Sequence, residues 1–181
     1  MILYINSCVR EDSRTDKIAR AALEKLGGEY TEVYLPEENL EPLSRERLEK
    51  RTSLIAQGDY SDDMFRYAKQ LAAADQIVIS APYWDLSFPA LLKLYIENIY
   101  VTGIVSEYGA DGRPHGLCNA KELIYVTTAG GPYCPDYSFG YIKDLAENYL
   151  GIEKVTLIKA EMLDVDGFNA DEIVAKTIAE L

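Results

Sequence analysis

The sequence predicts an α/β fold, a three-layer sandwich in which helices cover both faces of a five-stranded parallel sheet. Short apolar runs alternate with amphipathic stretches along the chain, and the apolar runs are nearly continuous. Strands that are apolar on both sides are typical of parallel sheets buried between helices. At 181 residues, the chain is expected to form one domain spanning residues 1–181.

Each element follows from its local pattern. In the first predicted helix, Ile18, Ala22 and Leu26 fall on one face, and two glycines then end it. In the last, Asn169 is the predicted N-cap. Strands are predicted over residues 2–6, 29–35, 76–80, 122–127 and 154–159. Helices are predicted over residues 14–26, 44–52, 60–74, 88–101, 138–149 and 170–180.

Composition excludes several classes of protein. A net charge of −12 argues against general binding to nucleic acid or to anionic lipid. No apolar run is long enough to predict membrane insertion, and no signal peptide is expected. Cys8, Cys118 and Cys134 form no CxxC pair and have no histidine at zinc-ligand spacing. No metal site is therefore predicted, and the scattered thiols favour the cytoplasm.

The strand order 2-1-3-4-5 suits this pattern and predicts where a ligand binds. In such a sheet the binding crevice lies beyond the carboxyl ends of the strands, where the strand order reverses. The loops that follow predicted strands one, three and four meet there. These three loops also have the most unusual composition in the chain.

The first of these loops, residues 6–15, is a candidate phosphate-binding loop. It holds hydroxyl and guanidinium side chains just before a helix, where free N–H groups favour anions. It matches neither the Walker A motif nor GxGxxG. The alternative is that Ser13 only caps the helix and that the arginines are solvated.

The second loop, residues 81–89, is apolar where a surface loop is normally polar. Its aromatic residues suit packing against a flat heterocycle, and Pro82 and Pro89 stiffen its ends. The alternative is that Trp84 and Phe88 fold back onto the core.

The third loop, residues 127–133, contains Gly130 and Gly131. Without side chains in the way, backbone amides can approach a ligand and stabilise charge on a reduced ring. The alternative is an ordinary glycine turn.

The insertion over residues 108–117 is a candidate lid over the site. Its His115, the only histidine, is expected to be an exposed loop residue rather than a catalytic base.

Residues 81–93 (APYWDLSFPALLK) carry a family resemblance. The stretch is similar to a Pro-aromatic-Asn-aromatic flavin loop followed by a Pro-Ala-x-Leu-Lys helix start, and residues 108–117 and 127–131 follow at the family's spacing. In this the chain resembles the flavodoxin-like NAD(P)H:quinone oxidoreductase and FMN-dependent azoreductase family. The resemblance covers nearly the whole chain and implies a flavodoxin-like fold.

The resemblance also implies which residues bind FMN. The residues matched to the phosphate are Ser7, Ser13 and Thr15, with Arg10 and Arg14 in the same loop. Those matched to the flavin ring are Pro82, Tyr83, Trp84, Asp85, Leu86, Thr128, Ala129, Gly130 and Gly131. Tyr108 matches an aromatic residue that lines the acceptor pocket. Asp85 stands where many relatives have Asn, and Trp84 is larger than the usual Tyr, so both differences bear on which acceptor fits.

The implied activity is ping-pong transfer of two electrons from NADH or NADPH through FMN to a quinone, azo compound or similar flat acceptor. The flavin carries the hydride, so no catalytic side chain is required. The family is typically homodimeric, with sites at the subunit boundary. Two alternatives remain open: a non-enzymatic FMN electron carrier, and an accessory subunit that regulates a membrane transporter.

Overall fold

The long strands of the chain pair into one parallel sheet in the computed structural model, which describes residues 1–181. These strands are β1 (Ile2–Asn6), β2 (Tyr30–Tyr34), β3 (Gln76–Ser80), β6 (Glu122–Thr128) and β7 (Lys154–Ala160). A separate antiparallel hairpin is formed by β4 (Ser106–Tyr108) and β5 (Pro114–Gly116). The sheet order is β2-β1-β3-β6-β7, which confirms the predicted order 2-1-3-4-5.

Helices connect the strands close to the predicted bounds. They are α1 (Arg14–Leu26), α2 (Arg45–Ala56), α3 (Arg66–Ala73), α4 (Ala90–Ile99), α5 (Phe139–Leu145) and α6 (Ala170–Ala179). The helix predicted from residue 60 begins at Arg66 because Asp62 caps a separate 3₁₀ turn, its side chain accepting from the Met64 N–H. After α5 the chain continues as a π-helical turn, Ala146–Leu150, which ends at Gly151 in the left-handed conformation.

The helices form two layers, one on each face of the sheet. α1 and α6 cover one face and bury a cluster of 11 residues that includes Ile18 and Val174. α3, α4 and α5 cover the other face over a cluster of 25 residues. The predicted three-layer sandwich is therefore confirmed, and all five parallel strands end at the same edge.

The predicted lid over residues 108–117 is wrong within a single chain. This segment belongs to the β4–β5 hairpin, which precedes β6 and packs against the turn that leads into β7. There the backbone of Gly116 lies directly against Leu150 and Gly151. The hairpin is therefore at the amino edge of the sheet, opposite the carboxyl edge where a ligand is expected.

Candidate functional site

A cavity of about 260 Å³ opens at the carboxyl edge of the sheet. Four loops line it, those that follow β1, β3, β6 and β7. It lies at the point between β1 and β3 where the strand order reverses, as the sequence predicted. The first three of these loops were expected at the site, and the fourth was not.

The first loop presents the N-terminus of α1 to the cavity. Arg10, Ser13, Arg14 and Thr15, the candidates for phosphate binding, all line the wall. The backbone N–H groups of Arg14 and Thr15 donate to no acceptor in the chain, which leaves them free for a ligand anion. Ser13 also caps the helix, because its hydroxyl accepts from the Asp16 N–H at 3.3 Å. Its capping role and its place in the cavity are thus compatible.

A buried polar network under the first loop holds its backbone in place. The side-chain oxygen of Asn6, Oδ1, accepts from the Cys8 N–H at 3.0 Å and from the Ser80 hydroxyl at 3.1 Å. The Asn6 amide nitrogen donates to Asp16 at 3.0 Å and to Glu32 at 2.9 Å. Asn6 therefore fixes the start of the loop to β2, β3 and α1.

Ser7, predicted to contact the phosphate, does not reach the cavity. Its side chain is fully buried, and its hydroxyl donates to the Ser80 carbonyl at 2.8 Å. The neighbouring Cys8 does line the cavity, although sequence reasoning did not place it there. Burial raises the pKa of the Cys8 thiol, which disfavours the thiolate and a nucleophilic role.

The second loop contributes an aromatic wall. Pro82, Tyr83 and Trp84, candidates for contact with the flavin ring, line the cavity. The Tyr83 ring packs edge-to-face on Tyr133 with centroids 4.9 Å apart. The buried Tyr83 hydroxyl has no hydrogen-bond partner in the chain. The alternative that Trp84 and Phe88 fold back onto the core holds for Phe88, which packs against the larger core cluster, but not for Trp84, which is 39% exposed.

Asp85 and Leu86, predicted to contact the flavin ring, form the tip of this loop and are not among the residues that line the cavity. Reciprocal backbone hydrogen bonds between Trp84 and Ser87, of 3.0 and 2.8 Å, close a two-residue turn around them. Both tip residues have positive φ, 49° and 68°, a conformation that type I′ turns require and that side chains disfavour. Both residues are exposed at this turn, Leu86 by 61%.

The third loop places its glycine backbone at the cavity. Of the four residues predicted to contact the flavin ring, Thr128, Ala129 and Gly130 line the cavity and Gly131 does not. The N–H groups of Gly130 and Gly131 donate to no acceptor in the chain. The Thr128 hydroxyl lies 2.7 Å from that of Thr15 and so links the third loop to the first.

Glu161, at the end of β7, anchors the third loop from behind. Its carboxylate accepts from the Tyr133 N–H at 3.1 Å and from the Lys159 ammonium at 2.8 Å. The Lys159 contact is the main reason that the pKa of Glu161 is lowered. Through its contact with the Tyr133 N–H, the Glu161 carboxylate therefore holds the end of the third loop in place.

The fourth loop, after β7, supplies Leu163 and Asp164 to the cavity, and sequence reasoning missed both. The Asp164 N–H donates to the Gly130 carbonyl at 2.9 Å, and the Leu163 N–H donates to Ala129 at 3.2 Å. The remaining unpredicted lining residues are Val9 and Asp12. The predicted strand order could have indicated this loop, because β7 ends at the same edge of the sheet as the other parallel strands.

Tyr108 and His115 lie in the hairpin at the opposite edge and do not line the cavity. His115 is exposed, in agreement with its predicted surface position, and its Nε2 lies 3.7 Å from an Asp111 carboxylate oxygen. Within one chain, Tyr108 therefore lies apart from the residues that were predicted to bind the flavin.

The residues present fit a phosphorylated flat heterocycle such as FMN. One end of the cavity offers two free N–H groups at a helix N-terminus, hydroxyls and guanidinium groups. Beside it, the adjoining loops after β3 and β6, joined by the hydrogen bond from the Tyr83 N–H to the Thr128 carbonyl, offer aromatic side chains and glycine amides without acceptors. The first set suits a phosphate, and the second suits a ring system that gains charge on reduction.

A parallel sheet in this order, with a cavity suited to a phosphorylated ring where the strand order reverses, defines a flavodoxin-like α/β protein. The chain belongs to the flavodoxin-like fold family, whose sequence model matches residues 1–181. It is 36% identical to FMN-dependent NADH:quinone oxidoreductase 2 of Clostridium acetobutylicum, across 98% of this chain and 94% of that protein. It is 33% identical to an FMN-dependent NADH:quinone oxidoreductase of Clostridium perfringens, across 98% and 93%.

Solved structures support the fold. An azoreductase from Bacillus anthracis superposes with a TM-score of 0.84 at 22% identity, covering 99% of this chain and 95% of that one. An FMN-dependent NADH-azoreductase from the same species, in complex with FMN, superposes with a TM-score of 0.81 at 22% identity, covering 99% and 94%.

Proposed function

We propose that this chain is an FMN-dependent NAD(P)H oxidoreductase that passes two electrons to a quinone, azo compound or similar flat acceptor. The observation that carries the proposal is the cavity between β1 and β3, which combines free N–H groups, hydroxyls and guanidinium groups at the start of α1 with aromatic side chains and glycine amides from the loops after β3 and β6. The relatives named above as FMN-dependent NADH:quinone oxidoreductases match nearly the whole chain, which supports the same activity here.

The first loop is proposed to bind the FMN phosphate. The hydroxyls of Ser13 and Thr15 and the free N–H groups of Arg14 and Thr15 would donate to its oxygens. Arg10 and Arg14 would add positive charge, since guanidinium–phosphate hydrogen bonds are strong. Asn6 would keep these donors in place by fixing the backbone before them.

The second and third loops are proposed to hold the flavin ring. Tyr83 and Trp84 would pack against it and exclude water, while the Gly130 and Gly131 amides would donate to its polar edge. When bound, FMN supplies hydride acceptance from the nicotinamide and electron donation to the acceptor. Donor and acceptor would use the same cavity mouth in turn, beside the half-exposed Trp84, which gives a ping-pong scheme.

The test is steady-state oxidation of NADH and NADPH by the FMN-loaded protein with a soluble quinone. We expect rapid turnover and parallel double-reciprocal lines, the pattern of a ping-pong mechanism. A carrier without reductase activity would bind FMN but oxidise nicotinamide no faster than free FMN. That outcome would contradict the proposed enzyme activity while preserving the flavin site.

We further propose that the protein is a homodimer. An apolar groove of about 440 Å³ runs between α2, α4 and α5, and the exposed Tyr141 and Tyr149 border it. Exposed aromatic surface of this kind is typical of interfaces. Tyr108 is 55% exposed at the opposite edge from the cavity, so its predicted place in an acceptor pocket requires a second copy.

Light scattering of the FMN-loaded protein at micromolar concentration is expected to give twice the 20.3 kDa chain mass. Replacing Tyr149 by Glu is expected to shift the mass toward one chain, because a charge would be buried in the groove. A monomeric mass for the unmodified protein would contradict the dimer.

We also propose a cytoplasmic location, since the three cysteines are unpaired. None of the helices combines the length and the apolar character needed to cross a bilayer.

A further inference from the structure

An ion pair joins the first and fourth loops at the cavity. Arg14 Nη1 lies 3.1 Å from Asp164 Oδ1, although the two residues are 150 positions apart. Both residues line the cavity, and their side chains are 42% and 72% exposed. Arg14 is the first residue of α1, and its guanidinium group therefore already has a carboxylate partner.

The backbone holds Asp164 in this position. Its N–H donates to the Gly130 carbonyl at 2.9 Å, and its carboxylate lies against the Gly130 backbone. A Cβ atom at Gly130 would come within 2.5 Å of Asp164 Oδ2, so the glycine leaves the space that the carboxylate occupies. Asp164 is thus directed toward Arg14 by the third loop.

The charges of the cavity lining make this carboxylate unexpected for a phosphate site. The charged side chains in the wall are Arg10, Arg14, Asp12 and Asp164, which sum to zero. A carboxylate beside a phosphate dianion is unfavourable, and it competes for the guanidinium that the dianion would use. Because the Arg14–Asp164 pair is exposed, it is weak and can be exchanged.

We propose that Asp164 is a specificity-determining residue that controls how strongly the site responds to a flavin phosphate. Without phosphate, Asp164 holds Arg14. When a phosphate monoester enters, Arg14 transfers its hydrogen bonds from the carboxylate to the phosphate. The proposal rests on the proposed function, because it takes the cavity to be the flavin site.

The test compares D164N with D166N, which removes the same charge from an exposed residue of the same segment outside the cavity. Dissociation constants for FMN and riboflavin are measured by quenching of flavin fluorescence. D164N is expected to bind FMN about fivefold more tightly, the size of one exposed charge interaction, with riboflavin affinity unchanged. D166N is expected to leave both affinities unchanged.

Arg14→Gln provides the second arm. If Asp164 acts mainly by holding Arg14, adding D164N to R14Q is expected to improve FMN binding by less than about twofold. A D164N protein that binds FMN no more tightly than the unmodified protein would overturn the proposal. So would equal weakening for FMN and riboflavin, which would make the pair a structural bridge. If the unmodified protein binds neither flavin, the proposed function fails as well.

Discussion

Replacing Ser13 and Thr15 together by Ala is expected to lower the affinity for FMN by about tenfold or more, with little change in the affinity for riboflavin. Ser13 and Thr15 both line the cavity, and the Thr15 hydroxyl, which lies 2.7 Å from that of Thr128, would accept from Thr128 and donate to the phosphate. Each hydrogen bond to an ionised group contributes about 1.5–3 kcal/mol, so losing two exceeds a factor of ten. Riboflavin lacks the phosphate and is held only by the ring loops. Fluorescence titration with both flavins measures the difference.

The control must account for the helix cap, because Ser13 also accepts from the Asp16 N–H. Ser44 caps α2 in the same way, its hydroxyl accepting from the Arg47 N–H at 3.2 Å, and it lies outside the cavity. Ser44→Ala therefore loses a comparable cap, worth about 1 kcal/mol of stability, without touching the proposed site. Equal losses for FMN and riboflavin in the double variant would mean that these hydroxyls do not bind the phosphate.

Gly116→Ala is expected to destabilise the fold by about 3 kcal/mol, because overpacking against backbone cannot be relieved by side-chain rotation. An added Cβ would lie 2.0 Å from both the Leu150 carbonyl carbon and the Gly151 nitrogen. The hairpin and the turn before β7 would have to separate. For a protein of this size, the loss corresponds to a fall in Tm of about 10 °C.

Gly131→Ala is the matched control for this variant. Its Cβ would meet nothing within 4 Å, and its φ is not in the left-handed region. We expect its free energy of unfolding to stay within about 1 kcal/mol of the unmodified protein in urea titrations. A Gly116→Ala protein as stable as this control would contradict the close packing of the hairpin on Leu150 and Gly151.

Most of the sheet could be predicted because its three inner strands, β1, β3 and β6, are buried on both faces. Runs such as residues 76–80 are apolar and bounded by polar residues, so their limits are visible in the sequence. The β4–β5 hairpin was not predicted, since strands of three residues carry too little pattern. Its position at the amino edge depends on the contact between Gly116 and the turn at Leu150, which no local signal indicates.

The candidate site could be predicted only in part. Loop composition located three walls of the cavity, because topology brings the carboxyl ends of parallel strands together. Ser7 was wrongly assigned because a serine bonded to the Ser80 carbonyl looks, in sequence, like one that faces a ligand. Asp164 was missed because the acidic segment after β7 resembles a solvated loop, and its pairing with Arg14 is long-range.

The most direct test of the proposed oxidoreductase activity is the visible spectrum of the FMN-loaded protein under anaerobic conditions, before and after one equivalent of NADH. We expect the absorbance of oxidised flavin to be lost, and a soluble quinone added afterwards to restore it. Flavin absorbance that persists after NADH, or that a quinone does not restore once it is lost, would contradict an FMN-dependent transfer from nicotinamide to quinone.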